Sequence, residues 1–340
     1  MGGARAAAPG LREDGGMTPP GRFGGCGEPS PHKRPFRFLL TLPTTGPDAT
    51  PAPLPEFVTD IRQGRYGPFD TIGEVGRAAE VTGFDGVVAP FAPDAEESLV
   101  VVAGLLRHNR WIHGVAGFHP GVGTPVYAAK LSASLQRFTE DRFGWWPVVD
   151  LPPATARAHG DFLEGPDRYA RADEFLSIAK GVWEHEDYTY EGRFFQVLAG
   201  GFQGPLAGRR FPAVHLSGVS ADALDLSAKH ADVHVFDVTD DLDALIADLG
   251  ERAAGHGRSV ASGLRLSVAA REDEAEAHAV RNVPEHALTG SFEQVAAELR
   301  GYADRGVSTF VLEPPPRVEE IYRLGEQLLP LFVREHAHVD

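Results

Sequence analysis

The sequence predicts a (β/α)8 barrel, the TIM-barrel fold, as one domain of residues 36–334. Segments of strand character alternate with amphipathic helical segments over about 300 residues, the repeating pattern of this fold. Residues 111–150 contain a strand, a helix and a second strand joined by short connections, which is one βαβ unit of a parallel sheet. A doubly wound open sheet is the main alternative, and the lack of a G-x-G-x-x-G sequence after the first strand disfavours it.

The unit at residues 111–150 also indicates where the chemistry lies. Its helix begins at Thr124 and Pro125, an N-cap followed by proline at the first helical position. In parallel α/β folds the functional groups follow the carboxyl ends of the strands. His119 and Asp150 each follow a strand of this unit, so both are placed at the predicted site end of the barrel.

The remaining elements follow from apolar periodicity and from turn residues. Predicted strands cover residues 36–42, 85–90, 111–117, 143–149, 212–216, 233–236, 263–269 and 309–312. Besides the helix that begins at Pro125, predicted helices cover residues 72–81, 95–106, 169–183, 220–230, 242–254, 272–279, 292–305 and 318–333.

The connections are predicted from their glycines and prolines. Residues 47–70 form a long, proline-rich first loop, and Gly83 ends the helix that follows this loop as a C′ glycine. A small hairpin insertion at 188–197, turning at Glu191 and Gly192, follows the fourth helix. Residues 1–35 lack periodicity and are predicted to be a disordered N-terminal tail, with 335–340 as a flexible C-terminus.

Composition narrows the class of protein. The net charge of −16 argues against nucleic acid and anionic membrane surfaces as partners. The single cysteine, Cys26, provides neither a disulfide nor a cysteine metal site, and the histidines show no metal-ligand spacing. No apolar run has transmembrane length, and the N-terminus has no signal-peptide core. A cytoplasmic protein without a metal is expected.

Several short motifs occur in a characteristic order across residues 36–332. They are AAE and GFDGV within 78–87, HPG, TP and AA within 119–129, RY and DEF within 168–175, YEGRFF at 190–195, LSGVS at 216–220, ADV at 231–233, GLRL at 263–266 and FVL at 310–312. Their order and spacing resemble the bacterial-luciferase-like flavin monooxygenases, and most closely the alkanesulfonate monooxygenase branch. The resemblance implies a TIM barrel, reduced FMN brought by a separate reductase, oxygen activation at the flavin C4a atom, and a homo-oligomer, either a dimer or a tetramer.

The turn formed by Ser217, Gly218, Val219 and Ser220 is a candidate site for the flavin phosphate. A glycine-containing turn at the start of a helix offers free N–H groups and the helix dipole to an anion. The resemblance also places Tyr169 within reach of this phosphate. The alternatives are an ordinary N-cap for Ser220 and an ordinary half-buried aromatic residue for Tyr169.

The residues around the family's reaction centre differ in this chain. The alkanesulfonate enzymes' catalytic positions fall on Thr45, Ala95, Trp146, Val149, the pair Asp150 and Leu151, Ser267, and Pro315. Of their Arg-x-His sequence only Arg265 is retained, and their long lid is largely absent between residues 278 and 290. The barrel frame is therefore retained while the pocket is rebuilt, which argues against sulfonate desulfonation.

Three side chains remain as candidates in the rebuilt pocket. Arg265 can hold an anionic substrate or the peroxide by charge-assisted hydrogen bonds, or it can form a structural ion pair. His119 can act as an acid or base, or it can be satisfied by backbone carbonyls. Trp146, which the resemblance places near the flavin ring, can stack on a flat ligand or simply fill the barrel.

The leading functional hypothesis is an FMN-dependent monooxygenase that acts on a small organic substrate. A catalytically degenerate or flavin-free relative, serving as a partner subunit or a ligand-binding protein, is the alternative favoured by the lost lid and the replaced glycines. A hydride-transfer enzyme that uses the deazaflavin F420 is a third possibility, and the motifs resemble that branch less.

Overall fold

A closed parallel barrel forms the centre of the computed structural model, which describes residues 34–45, 68–121, 123–281 and 283–333. The strands are β1 (Arg37–Thr41), β2 (Gly86–Ala89), β3 (His113–Phe118), β4 (Phe143–Pro147), β5 (Tyr188–Glu191), β6 (Gln196–Gly200), β7 (Ala213–Ser217), β8 (Val233–Asp237), β9 (Ala261–Arg271), β10 (Leu288–Ser291) and β11 (Val307–Glu313). The order β1-β2-β3-β4-β7-β8-β9-β11 is closed by parallel pairing of β11 with β1, which confirms the predicted (β/α)8 fold class.

Helices follow the barrel strands and cover the outside of the barrel. They are α1 (Pro68–Val81), α2 (Ser98–His108), α3 (Pro125–Thr139), α4 (Pro153–Ala158), α5 (Pro166–Glu184), α6 (Ala221–His230), α7 (Leu242–Gly255), α8 (Glu274–His278), α9 (Phe292–Asp304) and α10 (Val318–Arg323). Several begin where the sequence supplies a cap. Thr124 caps α3, and Ser291 with Gln294 forms a capping box at the start of α9.

Alternate residues along each strand divide the core into two layers. The larger layer lies between strands and helices and contains, for example, the stacked rings of Phe38 and Phe310. A second, smaller apolar cluster lies on the opposite strand faces, inside the barrel, and includes Val115, Trp146 and Val235. This alternation follows from the two-residue period of a strand.

Two elements are absent from the sequence prediction. β10 adds a parallel strand outside the barrel, because β9 continues past its last pairing with β11, at Ser267, and pairs there with β10 through Arg271. The sequence LTGS of β10 has no apolar alternation that would predict a strand. Helix α4 lies in the segment predicted as a loop after β4, and it is only six residues long.

The chain ends differ in detail from the prediction. The helix predicted at 318–333 is divided into α10, a π-helical turn at Leu324–Leu328 and a 3₁₀ turn at Leu329–Phe332. Arg34, assigned to the tail, is 4% exposed and pairs with Asp85 at 3.0 Å. The rest of the tail, most of the first loop and the C-terminal residues 334–340 lie outside the described residues, and the single-domain boundaries stay a prediction.

Candidate active site

A polar cradle forms where β7 ends and α6 begins. Gly218 has a φ of +117°, a conformation suited to glycine, and a Cβ atom there would lie 2.8 Å from the Ala223 Cβ and 3.3 Å from the Asp150 Oδ2. Ser220 caps α6, with its Oγ accepting from the Ala223 N–H at 3.2 Å. The Ser220 hydroxyl also donates to the Tyr169 hydroxyl oxygen at 3.2 Å. The turn, Tyr169 and Asp150 therefore meet in one place.

The hydroxyl of Tyr169 donates in turn to Asp150, which follows β4. Burial raises the pKa of the Tyr169 phenol above its ordinary value, and the hydrogen bond to Asp150 raises it further, so the phenol is a neutral donor. The cradle thus consists of two hydroxyl groups, the amino end of α6 and one carboxylate.

The cradle fits the end group of a flavin in its hydrogen-bonding geometry but not in its charge. The N–H groups in the first turn of α6 and the Tyr169 and Ser220 hydroxyls are suitable partners for an oxygen-rich group. The Asp150 carboxylate, however, accepts from Tyr169 and lies against the Gly218 turn that leads into α6. A phosphate of about −1.5 to −2 charge at this turn would lie close to that exposed carboxylate. The residues present therefore do not fit a phosphate dianion.

Trp146 connects this cradle to the barrel interior. Its indole Nε1 donates to the Ser217 Oγ at 3.3 Å, and its ring stacks on His215 with centroids 6.1 Å apart. Trp146 is 6% exposed and belongs to the interior cluster, whereas Trp145 points outward and donates to the Ser132 hydroxyl on α3 at 2.7 Å. The inward tryptophan therefore both fills the barrel and presents an aromatic ring next to the cradle.

Arg265 lies on the inner face of β9 and is hydrogen-bonded to a residue of β8. Its Nε and Nη2 atoms donate to the two oxygens of Asp237 at 2.8 and 3.1 Å. Burial would lower the pKa of Arg265, but the hydrogen bonds and charge of Asp237, together with Glu313, keep it above the ordinary value. Because its side chain is still 42% exposed, the guanidinium can also contact a ligand.

His119 is held in a buried polar cluster. Its Nδ1 lies 2.9 Å from the Val148 carbonyl oxygen and its Nε2 lies 2.7 Å from the Asp161 Oδ2. Arg171 donates to both Asp161 oxygens, at 2.9 and 2.6 Å. Burial alone would raise the pKa of Asp161, but bonds from Arg171, the Leu163 N–H and His119 hold it well below its ordinary value.

This geometry favours the structural alternative for His119. Both ring nitrogens face oxygen acceptors and the residue is 1% exposed, so neither nitrogen is directed at a ligand. Its role as an acid or base stays a prediction. Sequence analysis missed Asp161 and Arg171, because a carboxylate 42 positions from its histidine gives no local signal.

The remaining substituted family positions lie in different surroundings. Val149 and Leu151 are buried apolar residues, and Ser267 is 8% exposed on the inner face of β9. Within the described ranges, no three His, Cys, Asp or Glu side chains come together in a way that could hold a metal ion. No helix in those ranges is long and apolar enough to cross a membrane.

The family model for luciferase-like monooxygenases matches residues 43–304 of this chain. The chain belongs to the luciferase-like monooxygenase family. The match includes the cradle, Trp146, Arg265 and the cluster around His119, and it ends before β11. The luciferase-like barrel is therefore the framework on which each of these side chains is placed.

Solved structures share the fold of this luciferase-like protein at low identity. A riboflavin lyase with modified FMN and the substrate riboflavin has a TM-score of 0.74 at 14% identity, over 87% of this chain and 91% of that chain. An EDTA monooxygenase from Chelativorans sp. BNC1 has a TM-score of 0.72 at 17% identity, over 88% and 93%. An F420-dependent secondary alcohol dehydrogenase has a TM-score of 0.67 at 15% identity, over 88% and 99%.

Proposed function

We propose that this protein is a flavin-dependent monooxygenase that uses reduced flavin and O2 on a small organic substrate. The observation that carries the proposal is the cradle at the start of α6, which lies beside an inward-facing tryptophan at the carboxyl end of a luciferase-like barrel. The structural neighbours include an EDTA monooxygenase and a riboflavin lyase with modified FMN.

Different side chains would bind different parts of the flavin. Ser217, Gly218, Val219, Ser220 and Tyr169 would hold the ribityl end of the flavin through the turn and two hydroxyls. Trp146 would pack against the ring system, because its indole is fixed by Ser217 and lies toward the barrel interior. The ring and the ribityl chain are common to FMN and riboflavin, and only the phosphate of FMN would meet Asp150.

Bound reduced flavin would supply the electrons that activate O2, with one oxygen atom going to the substrate and the other to water. The protein's part is to hold the reactants together and to exclude water from the barrel mouth. Arg265 would orient a polar group of the substrate through its exposed edge.

The charged side chains at the mouth of the barrel indicate which charge the substrate carries. Asp237 neutralises Arg265, and Glu313 lies on the neighbouring strand, paired to Thr41 at 3.4 Å. A free sulfonate would therefore meet an arginine whose charge is already balanced, which argues for a neutral substrate and against desulfonation. A separate reductase as flavin donor, a homo-oligomeric state and a cytoplasmic location complete the proposal.

The alternative is a flavin-free barrel that serves as a partner subunit or binds a ligand without redox chemistry. The specific observation in its favour is Asp150, which places a carboxylate of the chain itself against the turn and the Tyr169 hydroxyl. An F420-dependent hydride transfer is a third candidate, since a structural neighbour uses that cofactor.

Oxygen transfer tests the proposal. A flavin reductase with NADH supplies reduced flavin, and the protein is added with a panel of small ketones, alkanes, amines and sulfonates under ¹⁸O2. One ¹⁸O atom in a product, dependent on the protein, supports the monooxygenase. Product formation from reduced F420 without O2 supports the deazaflavin alternative, and no product with either cofactor counts against both.

A further inference from the structure

We propose that the cradle takes a flavin whose side chain ends in an uncharged hydroxyl, as in riboflavin, in preference to the phosphate monoester of FMN. This inference rests on the proposed flavin-dependent function and specifies which flavin that site selects. It replaces the FMN expected from the family resemblance.

The first observation is the place of the Asp150 carboxylate. Its Oδ2 accepts from the Tyr169 hydroxyl and lies 3.3 Å from the point where a Gly218 side chain would begin. The carboxylate therefore lies against the turn that leads into α6, where the helix dipole and the first-turn N–H groups favour a negative charge. A side chain of the protein thus already supplies a negative charge beside the start of α6.

The second observation concerns the balance of charge. Within the described residues Asp150 forms no ion pair with a lysine, arginine or histidine side chain. Arg168 donates to the Leu163 and Leu151 carbonyls and not to the Asp150 carboxylate, and Arg193 makes two bonds to Asp167. The first turn of α6 also carries Asp222. A phosphate dianion would therefore bring two negative charges next to the carboxylate of the cradle, with Asp222 in the adjoining helical turn.

A flavin side chain that ends in a hydroxyl would contact the same groups without repulsion between negative charges. The Oδ1 atom of Asp150 accepts no hydrogen bond from the described residues and is available to a ligand hydroxyl. The Ser220 and Tyr169 hydroxyl oxygens, whose protons are donated to Tyr169 and Asp150, can each accept a further hydrogen bond from a ribityl hydroxyl. A carboxylate that receives sugar hydroxyls is the arrangement by which dinucleotide-binding folds hold a ribose.

Dissociation constants for riboflavin and FMN test the preference, measured with the full-length protein by fluorescence quenching at pH 7.5. The wild type should bind riboflavin at least about tenfold more tightly than FMN, the size expected for like charges a few ångströms apart in a partly exposed site. Asp150→Asn keeps the shape of the side chain and an acceptor for Tyr169. It should therefore lower the dissociation constant of FMN at least about tenfold while changing that of riboflavin by less than about threefold.

A matched variant removes an equal charge elsewhere. Asp248→Asn, on the outer helix α7, should leave the ratio of the two dissociation constants unchanged. FMN bound as tightly as riboflavin by the wild type, or an unchanged ratio in Asp150→Asn with a wild-type melting temperature, would overturn the inference while leaving flavin binding intact. Failure to bind either flavin would instead remove the proposed function on which the inference rests.

Discussion

The guanidinium of Arg265 and the carboxylate of Asp237 face each other across β9 and β8 through two parallel hydrogen bonds of 2.8 and 3.1 Å. Charge-assisted, two-point bonds of this kind fix the plane of the guanidinium. The pair is too exposed to contribute much to stability, with side chains that are 42% and 70% accessible. The main effect of the pair is therefore to orient the Arg265 guanidinium toward the mouth of the barrel.

Replacing Arg265 by alanine separates these roles. Turnover with reduced flavin should fall at least about 100-fold, as expected for loss of one preorganised donor at a reacting centre. The free energy of unfolding should change by less than about 1 kcal/mol, because the pair is exposed. Arg265→Lys keeps the charge but loses the two-point geometry and should be intermediate. Unaltered kinetics in the alanine variant would dismiss the role of Arg265.

The buried cluster of His119, Asp161 and Arg171 predicts a stability effect. Asp161→Asn should lower the free energy of unfolding in urea by about 3–5 kcal/mol, since it leaves buried donors without their counter-charge. Glu164→Gln, which removes an exposed partner of Arg157, is the control and should cost less than about 1 kcal/mol.

The same cluster gives a test for His119 itself. His119→Gln should destabilise the protein while leaving the pH profile of the folded enzyme unchanged. A stable variant that has lost one limb of that profile would show that His119 acts as an acid or base after all.

Ser220 combines two roles that substitution can distinguish. Ser220→Ala removes both the cap of α6 and a hydroxyl of the cradle, so it should cost about 1 kcal/mol in stability and weaken flavin binding. Ser220→Asn keeps a capping side chain but changes the cradle, so it should restore the melting temperature without restoring affinity. Affinity that follows the melting temperature in both variants would assign Ser220 to the cap alone.

Buried histidines predict how stability depends on pH. Burial lowers the pKa of His215 and of His234 to about 4, whereas each is near 6.5 in the unfolded chain. As the pH falls from about 6.5 towards 4, the unfolded state takes up protons that the folded state does not bind, so the free energy of unfolding falls. The loss from each histidine is at most about 3 kcal/mol, reached when the pH has fallen below both pKa values.

Thermal unfolding at pH 7.5, 6.0 and 5.0 measures this dependence. His234→Asn should show a shallower decline than the wild type, because one of the titrating groups is gone. A wild-type melting temperature that is constant over this range would contradict the burial argument.

The barrel was predictable because its evidence is local and repeated. Most βα units carry an apolar stripe and a turn of their own, and several also carry a cap, as at Thr124 and Pro125, so errors in one unit do not disturb the next. The failures occur where the pattern is weak: β10 consists of the four residues LTGS, and its pairing depends on how far β9 continues. The length of β9 and its pairing with β10 are set by strand register in the folded protein, which the sequence does not show.

The sequence predicted which candidate side chains follow the strand ends, but not the partners that each of them contacts. The rule that functional groups follow strand ends singled out Asp150 and His119, and the structure places Asp150 beside the turn at Ser217 and Gly218, a contact that the sequence did not predict. The partners could not be derived, because Asp161 meets His119 from a different loop and Asp237 meets Arg265 from a different strand. Contacts between residues far apart in sequence have no local signature.

Equilibrium titration of the full-length protein with flavin tests the central claim most directly. Oxidised riboflavin and FMN are titrated in air, and their reduced forms and reduced F420 are titrated under anaerobic conditions. We predict saturable binding of one flavin per chain at micromolar concentrations, lost in a Gly218→Val variant whose side chain would press against Ala223 and Asp150. Saturation by none of these cofactors in a folded wild-type protein would contradict the account.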